Sequence, residues 1–354
     1  MTDIKLILED GAAYHGKSFG YQGSASGELV FNAAMTGYPE ILSNPSYKGQ
    51  ILVMTYPLAG NYGVPCHDRE NDIPKYFESD DIHVSALVVT DYTPDYSHWG
   101  ACQSLDEWMK SRRIPGIYGV DTRALTKHIR EQGNMLGKLV YLNQDVPFHN
   151  PYDENLVDMV SCKEKIVYGS GARRILLVDC GVKNNILRDL LACDTTVIRV
   201  PYDYDFLGEE YDALFISNGP GDPKKCCATI QNVAQALQRS QPILGIGLGS
   251  LIMALAAGAD TFKLKYGHHG HNQPVQKVGT QTTFITAQNH GFAVNIDSLP
   301  DEWEPYYINL NDGTNEGFRH KTKPFFSAQF HHEPSGTTPD SEDLFCAFID
   351  ELKK

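Results

Sequence analysis

The chain has 354 residues, of which 42% are hydrophobic and 21% charged, and a formal net charge of −14. That length can bury sizeable cores and predicts two domains, and no stretch approaches the ~18 apolar residues that would span a membrane. The acidic balance argues against a nucleic-acid partner, since no basic run exceeds Lys224-Lys225 or Arg173-Arg174.

Met1 to Asp10 carries acids where a signal peptide would have a basic stretch and an apolar core. The eight cysteines show no CxxC, so reduced thiols in a cytoplasmic protein are expected. Residues 1–150 alternate short apolar runs with turns and predict an α+β domain. Gly11 through Gly16-Lys17-Ser18 fits the letters of a phosphate-binding loop, but Phe19-Gly20-Tyr21 does not start a helix. Ile51 to Tyr56 and Ala86 to Thr90 are strands by β-branched content. Thr122 to Gln132 predicts a helix, with Thr122 able to cap it and Gly133 stopping it. Residues 151–172, within the polar stretch Asn143 to Lys165 and its continuation, suit a linker or a short connecting helix.

Residues 173–354 change character. Strands at Arg174–Asp179, Thr195–Val200, Ala213–Ser217 and Pro242–Ile246 alternate with helices near Asn184–Leu191 and Ile230–Arg239. Buried strands alternating with helices predict an α/β domain, a mainly parallel sheet flanked by helices. Ligands gather at the carboxyl ends of such strands, which puts function in the loops after Ser217, Ile246, Ala287 and Phe330.

Those loops are informative. Asn218-Gly219-Pro220-Gly221-Asp222-Pro223 exposes backbone N–H groups that suit an anion, though alone it is a tight turn. Gly245-Ile246-Gly247-Leu248-Gly249-Ser250 runs from strand through a sharp turn into a helix, the geometry of a nucleophile elbow. Its GxGxG spacing does not fit a dinucleotide-binding turn. Gln329-Phe330-His331-His332-Glu333 offers a His one residue from a Glu, a base and its orienter.

Taken in order, these motifs resemble the class I glutamine amidotransferases, in which a Gly-x-Cys-x-Gly elbow carries the nucleophile. Glu28 to Asn32, Met35 to Tyr38, Gly60 to Gly63 and Ile114 to Arg123 resemble the amino domain of the carbamoyl phosphate synthetase small subunit. Asp179 to Ile186, Gly258 to His268 and Gln288 to Val294 resemble the same subunit. The resemblance implies a role in making carbamoyl phosphate for pyrimidine and arginine synthesis, a large synthetase subunit as partner, and no cofactor. It implies a glutamine pocket of Ser46, Gly219, Gly221, Leu248, Asn289, Gly291 and Phe292, with His331 and Glu333 as base and orienter.

The elbow departs from the family pattern. Gly247 stands where the nucleophilic Cys belongs, Ser250 where a His does, and Leu251 where a glutamine-binding Gln does. A glycine has no attacking atom, so glutaminase activity is expected to be lost. The pattern resembles that of the ammonia-dependent carbamoyl phosphate synthetases, which implies a small subunit that serves a synthetase fed by free ammonia. Other readings are a Cys-to-Gly variant of an active subunit, Ser250 as an unrecognised nucleophile, and a non-catalytic glutamine-binding regulator. The His268-His269-Gly270-His271 run lacks a clear fourth ligand, so no metal is expected.

Overall fold

The computed structural model describes residues 3–330 and 344–351. The chain divides into two compact units, 1–154 and 155–354.

The first unit is built on a closed barrel. Its strands are β1 (Asp3–Leu8), β2 (Ala13–Gly20), β3 (Ala25–Asn32), β4 (Gln50–Met54), β5 (Ala86–Val88) and β6 (Pro115–Tyr118), followed by helix α1 (Thr122–Gln132) and β7 (Met135–Tyr141). The barrel order is β1-β7-β3-β4-β5-β6-β2. β3, β4, β5 and β6 run parallel to one another, and β1, β2 and β7 close the barrel with antiparallel pairs. Alternate residues of β1 (Ile4, Leu6, Leu8) point inward, where Leu29, Ile51, Val53, Val88 and Leu139 complete the core. The Gly16-Lys17-Ser18 letters lie within β2, with no loop-to-helix turn to hold a phosphate. The cap of α1 is Asp121, not Thr122: its carboxylate accepts from Ala124 N at 2.9 Å.

The expectation of reduced thiols fails at one pair. Short strands Val64–Pro65 and Ala101–Gln103 pair antiparallel and bring the Cα atoms of Cys66 and Cys102 to 5.2 Å, where the sulfurs are bonded.

The second unit carries a ten-stranded sheet. Its elements are β8 (Ile166–Tyr168), β9 (Arg173–Asp179), α2 (Asn184–Ala192), β10 (Thr195–Pro201), β11 (Ala213–Ile216), α3 (Cys227–Ala236), β12 (Ile243–Ile246) and α4 (Leu248–Ala257). Then come β13 (Asp260–Lys277), β14 (Thr283–Asn295), β15 (Trp303–Asn309), β16 (Asn315–His320), β17 (Phe325–Ala328) and α5 (Leu344–Glu351). The order is β8-β10-β9-β11-β12-β17-β16-β14-β13-β15. The block β10-β9-β11-β12-β17 is parallel, and β13 to β16 extend it with antiparallel pairs.

One expected loop is absent. Residues 283–295 form a continuous strand, so Asn289 sits inside β14 and not in a loop after Ala287. Helix α4 is apolar because it packs inside the unit: Leu251, Ile252, Met253 and Ala254 are all buried. Each large side chain among them contributes about 1.5–3 kcal/mol by leaving water.

Candidate functional site

Close packing at the end of the parallel block builds the elbow. A side chain on Gly249 would overlap the Ile216 carbonyl, and one on Gly245 would lie 2.7 Å from Gly249 O. Those two glycines let α4 lie directly on the carboxyl ends of β11 and β12. Gly247, between them, has φ 57° and ψ −115°, a backbone conformation that strains a residue with a side chain. Its N–H donates to Ala328 O at 2.8 Å, and its carbonyl accepts from Ser250 N at 3.0 Å. The turn is therefore held at both ends while its central residue presents no functional atom.

The loop after β11 adjoins the elbow. A side chain on Gly219 would overlap Cys180 O and come within 2.9 Å of Leu248 Cδ2. Gly221 has φ +89°. Asn218 anchors this loop, donating from Nδ2 to Gly181 O at 2.9 Å. Asp179, fully buried, anchors the neighbouring one: its carboxylate accepts from Gly181 N and Val182 N and pairs with Arg199 at 2.6 Å. Phe292 of β14 packs on the cluster that contains Leu248 and Leu251. The structure thus brings Gly219, Leu248 and Leu251 together beside Gly247.

Leu251 is 2% exposed, so the position expected to hold a substrate amide is filled by a core side chain. Ser250 is also buried, and its Oγ has no hydrogen-bond partner among the described residues. Three of the described thiols are made less acidic by burial. Burial pushes Cys162 and Cys226 up to about 12, and Cys180 is raised well above its ordinary value by the same cause. His331 and Glu333 lie outside the described residues. Ser46 belongs to the first unit, buried in a short helical turn where its N–H donates to Asn44 Oδ1 at 3.0 Å.

The strands carrying Asn289 hold a polar network that the sequence reading missed. β13 and β14 pair His269 with Asn289 and His268 with His290. His269 Nδ1 lies 2.7 Å from Asn289 Oδ1, which fixes the amide, and burial pushes the imidazole down to about 3, so it is neutral. Gly291 follows His290 on the same strand. His268 Nδ1 lies 3.0 Å from Glu316 Oε1, and its Nε2 lies 2.8 Å from Asp312 Oδ2. Burial pulls this imidazole down, but the bonds and charges of the two carboxylates outweigh it and the net shift is upward. His290 Nε2 approaches the other Glu316 oxygen at 3.6 Å. Burial opposes ionisation of Glu316, yet the flanking histidines hold it down at about 2. Both nitrogens of His268 thus lie within hydrogen-bond distance of a carboxylate. The only signal in the sequence was the run of histidines itself; Glu316 carried none.

Among the described residues no helix is long and apolar enough to cross a membrane. Residues 6–139 match the family model "Carbamoyl-phosphate synthase small chain, CPSase domain", and residues 176–351 match "Glutamine amidotransferase class-I". The chain is 45% identical to the carbamoyl phosphate synthase arginine-specific small chain of Aspergillus clavatus, covering 99% of this chain and 79% of that one. It is 48% identical to the multifunctional protein CAD of Squalus acanthias, over 98% of this chain and 16% of the relative. It is 46% identical to the human mitochondrial carbamoyl-phosphate synthase [ammonia], over 99% of this chain and 24% of the relative. It thus spans about a sixth to a quarter of the length of the two longer relatives. The chain belongs to the carbamoyl phosphate synthase small chain family.

Proposed function

We propose that this small chain hydrolyses no glutamine and serves a synthetase that draws on free ammonia. Gly247 carries the reading. The elbow keeps the φ of 57° and ψ of −115° that present a nucleophile, but its central residue has nothing to attack with. Ser250 is buried with no partner among the described residues, and burial raises the thiols of Cys162 and Cys226, so neither favours a substitute nucleophile. Leu251 in the core removes a polar anchor for the substrate. A relative named as an ammonia-using synthase supports the same direction.

On this reading Gly219, Gly221, Leu248, Asn289, Gly291 and Phe292 are a vestigial glutamine pocket, and His331 and Glu333 a base and orienter with no nucleophile to serve. The partner is a large synthetase chain or a synthetase region of the same polypeptide, and the compartment is the cytoplasm. The test is reconstitution of carbamoyl phosphate synthesis from the synthetase with and without this chain. Ammonia supports the reaction and glutamine does not. Synthesis from glutamine at a rate comparable to that from ammonia sinks the reading.

A further inference from the structure

The first unit has an open cleft of about 600 Å³ between α1 and the carboxyl ends of the parallel strands β3 and β4. Phe31, at the end of β3, and Thr55, just past β4, line it from the barrel. Arg123, Lys127 and Arg130 line it from the helix, against the single carboxylate of Glu131. Positions i, i+4 and i+7 share one helix face, so the three cations form a row about 10 Å long.

This row is unusual for the chain. Acidic residues outnumber basic ones 44 to 30, yet Arg123 makes no hydrogen bond or ion pair among the described residues. Arg130 meets no carboxylate there either; its guanidinium lies 5.0 Å from the centroid of the Phe31 ring. Lys127 reaches Glu131 only at 3.7 Å, with both side chains mostly exposed, a pair of little worth. A small-anion pocket would converge buried donors on one point. These cations are exposed and spread along a helix, the arrangement that suits a polypeptide presenting carboxylates at similar intervals.

We propose that this cleft docks an acidic segment of the synthetase polypeptide, its carboxylates on Arg123 and Arg130. The inference rests on the partner assigned above. It also draws on the longer relatives, which carry most of their length outside the region matched here.

The test measures binding of the full chain to the synthetase polypeptide of the same genome, supplied in trans, at low and at physiological salt. Arg123→Glu with Arg130→Glu should weaken binding by roughly tenfold or more and flatten its salt dependence. The milder Arg123→Gln with Arg130→Gln should weaken it less, and guards against a charge-reversed protein that fails to fold. Lys5→Glu with Arg173→Glu makes the same change in net charge at exposed positions elsewhere and should leave binding within twofold. Equal binding by all variants overturns the docking proposal alone, while no binding by the unaltered chain overturns both it and the partner assignment. Displacement by inorganic phosphate beyond that by sodium chloride at equal ionic strength makes the cleft a small-anion site and also overturns it.

Discussion

Gly249→Ala tests how the elbow is built. The new Cβ would sit 2.6 Å from the Ile216 carbonyl carbon and 3.0 Å from Ser217 O, both rigid strand backbone. Reaching a carbon–carbon contact of about 3.5 Å moves α4 roughly 1 Å off the sheet. A gap of that size forfeits a quarter to a half of each dispersion contact, and Leu251, Ile252 and Met253 all lose partners together. The cost comes to about 3 kcal/mol, at the upper end for overpacking, or about 6–12 °C in Tm for a unit of this size. Gly258→Ala is the control. Gly258 also has positive φ, at +100°, but a Cβ there meets only Pro300 Cγ at 3.9 Å, so only backbone strain of about 1–2 kcal/mol remains. Thermal unfolding, with hydrogen exchange read over residues 248–257, should rank Gly249→Ala clearly below Gly258→Ala. A Gly249→Ala protein within about 0.5 kcal/mol of the parent would refute the close-packing argument.

Further predictions concern the buried charges and the nucleophile. In a nuclear magnetic resonance titration His268 should protonate above 6.5, and Glu316→Gln should bring that value down. A raised histidine stabilises the fold below 6.5 and loses that contribution as pH climbs through its folded value; Glu316, held at about 2, contributes above 4.5 and loses it as pH falls toward 2. The pair therefore stabilises the second unit most between 4.5 and 6.5. His269, depressed to about 3, works in the opposite sense below 6.5, and the Glu316→Gln comparison separates the two. Gly247→Cys should yield at most a feeble glutaminase and cost about 1–3 kcal/mol of stability, because a side chain at φ 57° is strained. Adding Leu251→Gln should raise that activity by about tenfold to a hundredfold, while lowering stability further by burying an amide in an apolar cluster. Full recovery from Gly247→Cys alone points to a variant of an active subunit.

The parallel block was legible because its strands are unbroken apolar runs ended by glycine turns, and β9, β11 and β12 fall within a residue or so of the expected bounds. The elbow was legible for the same reason. β14 was not: Gln288, Asn289 and His290 interrupt its apolar pattern. Asn289 and His290 find partners distant in sequence, His269 and Glu316, while Gln288 bonds within the strand to Thr286 and His290. The Cys66–Cys102 pair hid likewise, since it depends on two very short strands meeting across a long loop. Closure of the barrel joins β1 to β7 across the whole first unit, a pairing that no local pattern encodes.

The account stands or falls on ammonia release from glutamine by the unmodified chain, measured alone and with its synthetase. It predicts no release above background, because Gly247 offers no attacking atom, and no change on His331→Asn. Robust turnover that His331→Asn abolishes would contradict it and turn the search to Ser250.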